Sequence, residues 1–338
     1  MKPVLLARHA MHTRFEMVLH GASEPRLRAA GEEALDEIER LDAQLSVFRP
    51  TSEIARVNRH AYDRPVKVTP PIFRLLALAR ELSRRTEGAF DPTVGPLLRA
   101  WGFLGAGGAW PEPAALEAAR ACVGMGLVLL DEEQFTVRFQ RPGLMLDLGA
   151  IGKGFAVDCA VAILREAGVT SAFVHGGTSS AYGLGAMPDG RPWKAALSLP
   201  GPPGPNDGTA PVEHAGNPRS GAPCAEAILA DTALGVSASA GKAFRFRNRT
   251  FGHILDPRTG EPTQGALLAA VSGPSATEAD ALSTALLVLG ASGLERVLHM
   301  ADSLRAWIVM EQPNSPAGWC IIEHSHTGAL RPGERRPL

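Results

Sequence analysis

The 338-residue sequence argues for an α+β protein, a largely antiparallel sheet with flanking helices, on three grounds. Apolar residues recur at helical spacing in well-separated blocks. Short strand-like runs cluster between turn residues. Strands and helices mix without a steady βαβ rhythm, which disfavours a doubly wound parallel sheet. With 45% apolar and 20% charged residues the composition is that of a globular chain, and a net charge of -1 supplies no long-range field to attract nucleic acid or an anionic membrane.

Taken in order, Leu27, Ala30, Ala34, Leu35, Ile38, Leu41 and Leu45 follow Ser23 at helical spacing and predict an amphipathic helix over 23–46. Thr69-Pro70-Pro71 opens a second helix that Gly88 stops, and Pro113 to Val123 reads as a third. The period then changes, and runs at 127–130, 135–139 and 144–147 predict a strand meander. A helix is expected over 154–167, with Gly168 ending it, then strands over 169–174 and 193–199. Residues 200–223, dense in glycine and proline, read as a flexible insertion. Beyond it, strands are expected near 244–247, 267–271 and 305–310, and helices over 278–289 and 294–300. Residues 1–311 thus read as a single domain, with 312–338 as a polar tail.

Cys122, Cys159, Cys224 and Cys320 are far apart and form no CxxC pair, which points to reduced thiols. No apolar span is read as long enough for a membrane helix, about 18 residues. The first ten residues lack the apolar core of a signal peptide, so a cytoplasmic location is expected.

Three segments carry chemistry. Asp147 to Asp158, DLGAIGKGFAVD, fails the Walker A pattern, and its glycines at 149, 152 and 154 reverse the dinucleotide spacing. What survives is a strand, a glycine turn and a helix N-terminus, an arrangement that offers N–H groups to an anion, with Lys153 as a cation. A plain strand-to-helix connection with a solvated lysine explains it equally well. In Thr277 to Thr284, Asp280 and Thr284 lie four apart on one helix face with Ser283 close by, hard oxygen donors suited to Mg²⁺. The competing reading is a capping box of Thr277 and Asp280. In Phe251 to Gly260, turn formation explains Asp256, Pro257 and Gly260; His253 could act as a general base and Arg258 could hold an acid or phosphate.

Together these segments resemble the ApbE family, the FAD:protein FMN transferases. LDLGAIGKGFAVD, HILDPRTG and ADALSTALLVLG stand in the order of the family's signatures, and SVFRPTSEIARVN (46–58) and TEGAFDPTVGPLLRAWGF (86–103) are similar to further familial segments. The likeness runs from about Met11 to Glu311. It implies an ApbE-like body and Mg²⁺-dependent transfer of FMN from FAD to a threonine or serine hydroxyl of a partner protein, releasing AMP. By position, it implies Ala150 (backbone carbonyl), Asp280 and Thr284 as metal ligands. It likewise implies FAD contacts from Met11, Phe48, Ala89, Phe90, Asp91, Asp147, Lys153 and Ile254, and a glycine turn that brings backbone close to FAD. His253 is the candidate base for the incoming hydroxyl.

Four departures stand against the family pattern: His12 where Met-Gly-Thr is usual, Thr178 and Ser179 where an amide or acid commonly follows the Gly-Gly pair, a missing acid within 235–242, and the insertion over 200–223 just ahead of that segment. They leave two alternatives open, an FAD pyrophosphatase giving FMN and AMP, and a non-catalytic FAD-binding protein.

Overall fold

The computed structural model describes residues 2–105, 107–199, 223–239, 241, 243–247, 249–315 and 318–325. The chain opens with the hairpin β1 (Val4–Ala10) and β2 (Thr13–His20), followed by α1 (Glu24–Leu45), α2 (Glu53–His60), β3 (Val66–Lys67) and α3 (Pro70–Arg85). Next come α4 (Gly95–Ala100), α5 (Pro113–Arg120), β4 (Val128–Asp131), β5 (Thr136–Phe139) and α6 (Gly152–Glu166). The strands β6 (Ser171–Gly176), β7 (Ser180–Leu184), β8 (Trp193–Ser198), β9 (Pro223–Leu229), β10 (Thr232–Ala238), β11 (Ala243–Phe246), β12 (Arg249–Gly252) and β13 (Ala266–Gly273) follow. The described chain closes with α7 (Ala276–Leu289), α8 (Leu294–Leu298), β14 (Arg305–Glu311) and β15 (Trp319–Ser325).

Eight strands make one sheet in the order β1-β2-β6-β7-β10-β13-β14-β15. Every pairing in it is antiparallel, which is the α+β architecture expected from the sequence. Both faces are covered. Along β13, Ala269 and Val271 face the main core, while Leu268 and Ala270 face a second core with Trp193, Leu197 and Trp307. This is the two-residue period of a strand buried on both sides. The first face carries α1, α6 and α7, with α6 packed between the other two helices and α7 lying on β10 and β13. The β8–β9 hairpin covers the second face.

Three expectations change, and a fourth lies almost wholly outside the described residues. Leu144 to Asp147 is not a strand: Leu144 and Leu146 are buried, but the backbone of Leu146 exchanges hydrogen bonds with the Asn58 side chain (2.9 and 2.7 Å), and the Asp147 N–H goes to the Pro92 carbonyl at 2.7 Å. An apolar run reads alike whether a strand or a side-chain amide satisfies its backbone. The polar tail over 312–338 contains β15, which pairs with β14 along its whole length and ends the sheet. The insertion over 200–223 lies outside the described residues except for Pro223, which opens β9. Finally, Ala276–Leu298 is long and apolar enough to pass as a membrane span. It is broken at Gly290, and α7 packs inside the fold.

The β1–β2 hairpin, which the sequence reading left unassigned, turns at Met11 (φ 50°) and His12 (φ 59°). Two successive positive φ values match the twist of a tight hairpin, although glycine or asparagine is the usual solution. The four cysteines form no disulfide.

Candidate active site

The site is built where α6 meets α7 over the sheet. The N-cap of α7 is Ser275, whose Oγ accepts the Glu278 N–H at 3.2 Å. The capping box expected of Thr277 and Asp280 is therefore displaced by two residues, and Asp280 falls one turn inside the helix with no capping duty. Its carboxylate is almost wholly buried and accepts the Gly154 N–H of α6 at 3.0 Å. Burial raises its pKa above the ordinary carboxylate value, opposed by the nearby Lys153 charge and the Gly154 amide.

Glycine at two positions makes this approach possible. A Cβ at Gly154 would lie 2.1 Å from the Ala276 carbonyl oxygen and 2.8 Å from Asp280 Cβ, and one at Gly235 of β10 would lie 2.2 Å from the Ala279 carbonyl oxygen. Gly154 thus serves helix-to-helix contact. Lys153, on the neighbouring position of α6, sends its Nζ to the Gly149 carbonyl at 2.8 Å.

One cavity of about 560 Å³ opens at this junction, inside the range of roughly 300–1,000 Å³ typical of ligand pockets. It is lined by Ala89, Phe90, Asp91, Asp147, Ala150, Lys153, His253, Ile254, Asp280 and Thr284. Of the metal and FAD contacts that the resemblance implies, only Met11 and Phe48 lie elsewhere: they line a separate hollow of about 290 Å³ with His12, Asp42 and Arg49. There the Met11 N–H binds Asp42 at 3.1 Å, and the His12 and Phe48 rings meet edge to face at 5.5 Å.

Two expected contacts have other employment. The Asp91 carboxylate accepts Ser83 Oγ (2.9 Å), the Met125 N–H (2.9 Å), the Thr93 N–H (2.8 Å) and the Thr93 hydroxyl, so its oxygens fasten α3 to the loops that carry Phe90. Arg258 is absent from the cavity wall and is held by a forked pair of bonds to Asp256 at 2.8 and 2.7 Å.

Sequence reasoning missed Ser237. Its Oγ lies 2.8 Å from Thr284 Oγ1 and 2.9 Å from Ser283 Oγ, and Ser283 Oγ donates to the Asp280 carbonyl at 2.9 Å. This buried hydroxyl chain orients Thr284. The signal was present but inverted, because the 235–242 segment drew notice only for the acid it lacks. Thr178, Ser179, Ser198 and Leu255 also line the wall and were likewise unassigned as contacts.

The donor set fits a hard cation. Among the described residues no three of His, Cys, Asp or Glu converge as a metal cluster. The Asp280 carboxylate, the Thr284 hydroxyl and the Ala150 segment instead share this cavity, which suits an ion that completes its shell with water and substrate phosphate.

The ApbE family model matches residues 11–308. The chain belongs to the ApbE family. It is 30% identical over 303 residues to an FAD:protein FMN transferase of Haemophilus influenzae, covering 85% of this chain and 81% of that protein. A Vibrio cholerae FAD:protein FMN transferase is 30% identical over 277 residues, covering 81% of this chain and 76% of the relative. In structure the chain is similar to the ApbE protein of Thermotoga maritima, with a TM-score of 0.80, 27% identity and coverage of 96% and 98% of the two chains. It also resembles the apo form of the Pseudomonas stutzeri flavinyl transferase ApbE, with a TM-score of 0.78, 26% identity and 96% coverage of both. The ApbE match takes in every segment of the cavity wall, from Ala89 to Thr284.

Proposed function

We propose that this chain transfers FMN from FAD to a hydroxyl of an acceptor protein with Mg²⁺ as cofactor, releasing AMP. The observation that carries the reading is the convergence of Lys153, His253, Asp280, Thr284 and Ala150 on one cavity. Asp280 carboxylate, Thr284 hydroxyl and the Ala150 carbonyl would hold the ion. Bound there, Mg²⁺ would neutralise charge on the diphosphate oxygens of FAD.

The chain's own groups account for the remainder. Lys153, anchored on the Gly149 carbonyl, presents a cation to the diphosphate. Phe90, Ile254 and Leu255 provide an apolar wall that excludes water from the reacting phosphorus. The acceptor hydroxyl attacks the FMN phosphorus, the bond from that phosphorus to the bridging oxygen breaks, and AMP leaves with that oxygen. The hydroxyl proton passes to the imidazole of His253.

The departures at Thr178 and Ser179 sit on the wall of the same cavity while Asp280, Ser283 and Thr284 are intact. That favours altered acceptor choice over lost chemistry. Purified protein incubated with FAD, Mg²⁺ and candidate acceptor domains should increase the acceptor mass by FMN less water, with an equal yield of AMP. Free FMN and AMP with every acceptor unmodified would replace transfer by hydrolysis, and intact bound FAD would refute catalysis.

A further inference from the structure

We infer that Asp158 is a positioning residue for the metal site, holding α7 in register on α6 so that Asp280 and Thr284 face Ala150; the inference rests on the metal reading above. Asp158 closes the DLGAIGKGFAVD segment and does not line the cavity. Its carboxylate makes four hydrogen bonds, all to the start of α7. Oδ1 accepts the Ala276 N–H at 2.8 Å, and Oδ2 accepts Ser275 Oγ (2.8 Å), the Thr277 N–H (2.9 Å) and Thr277 Oγ1 (2.6 Å).

A helix start leaves its first N–H groups without intrahelical partners. Here Ser275 serves Glu278, while a carboxylate borrowed from α6 serves Ala276 and Thr277. The negative charge also complements the positive helix end. Asp158 lies four residues after Gly154, one turn along the same face of α6, and the Gly154 N–H binds Asp280 one turn further into α7.

The two helices are therefore joined by two rungs of matched spacing. Sliding α7 by one residue would break both rungs and move Asp280 and Thr284 about 1.5 Å along the axis. An ion that demands near-ideal octahedral geometry at about 2.0–2.1 Å does not tolerate such a shift. A helix cap alone would need only local bonds, whereas this carboxylate spans two elements that each carry part of the site.

The test titrates wild type, Asp158→Ala, Asp158→Asn and Ser275→Ala with Mg²⁺ at saturating FAD. It follows AMP release and the Mg²⁺-induced rise in unfolding temperature, with flavin fluorescence reporting FAD binding in the absence of metal. Asp158→Ala should raise the Mg²⁺ concentration for half-maximal response at least tenfold while metal-free FAD binding stays within twofold. Asp158→Asn, which keeps an acceptor for only part of the network, should fall between it and wild type and covers the case in which the alanine variant does not fold. Ser275→Ala weakens the cap but keeps the backbone rungs, so its half-maximal concentration should stay within about twofold of wild type. Unchanged Mg²⁺ dependence in both Asp158 variants, or an equal shift in Ser275→Ala, would overturn the positioning role. A wild-type protein with no Mg²⁺ response would instead overturn the metal site itself, and this role with it.

Discussion

Replacing Gly154 by alanine separates two opposed effects whose signs differ. Alanine in a helix interior is favoured over glycine by about 1 kcal/mol, so an isolated α6 would gain. In the folded protein the new methyl would sit 2.1 Å from the Ala276 carbonyl oxygen and 2.8 Å from Asp280 Cβ. An ordinary contact is above 3 Å, so α6 and α7 would have to part by roughly 1 Å, and overpacking of this kind costs about 1–3 kcal/mol. The obstacle is backbone pinned by Asp158 and cannot swing aside. Set against the gain of about 1 kcal/mol, this leaves an expected net destabilisation of up to about 2 kcal/mol by chemical denaturation. The same movement stretches the bond from the Gly154 N–H to Asp280, so Mg²⁺ dependence should weaken as well. A variant more stable than wild type by about 1 kcal/mol, with unaltered Mg²⁺ response, would refute the account of why glycine stands there.

Asp280→Asn is expected to raise the unfolding temperature of the metal-free protein, because burial disfavours the charged carboxylate, and to abolish any Mg²⁺-induced gain; differential scanning calorimetry with and without Mg²⁺ reads both. Asp91→Ala strands the buried donors of Ser83, Thr93 and Met125 and should cost about 3 kcal/mol or more in urea denaturation; a loss below about 1 kcal/mol would contradict its fastening role. Ser237→Ala should reduce FMN transfer through Thr284 at limiting Mg²⁺ and recover at high Mg²⁺, as steady-state titration would reveal. Burial pushes the Cys159 thiol up to about 12, with the Glu37 and Asp158 charges adding to it. The group therefore stays protonated through neutral pH, and the proton is lost only as pH approaches that value. At pH 8 its alkylation should run on the order of a thousandfold slower than that of a free thiol of pKa about 8.5, as peptide mass mapping would measure.

Much of the fold was legible because its helices are amphipathic with clear ends. Apolar spacing placed α1, α3 and α7 to within a few residues, and Gly168 marked the end of α6. The strands were less visible. β10, TALGVSA, is rich in small residues because α7 lies directly on Gly235, and small residues carry little strand signal. β15 hid in a stretch that reads as a polar tail, since an edge strand needs only one apolar face. For the site, motif order located Lys153, His253, Asp280 and Thr284, which the fold brings to one cavity. It could not show that the carboxylates of Asp91, on the cavity wall, and Asp158, behind it, are taken up by hydrogen bonds that hold the walls in place. Spacing along a chain does not reveal which carboxylates the tertiary structure will saturate.

A crystal structure with FAD and Mn²⁺ in place of Mg²⁺, located by its anomalous signal, tests the site most directly. The account predicts one metal peak at coordination distance from the Asp280 carboxylate, Thr284 Oγ1 and the Ala150 carbonyl oxygen, touching the FAD diphosphate, with Lys153 beside it. A metal bound elsewhere, or a diphosphate seated away from the α6–α7 junction, would contradict it.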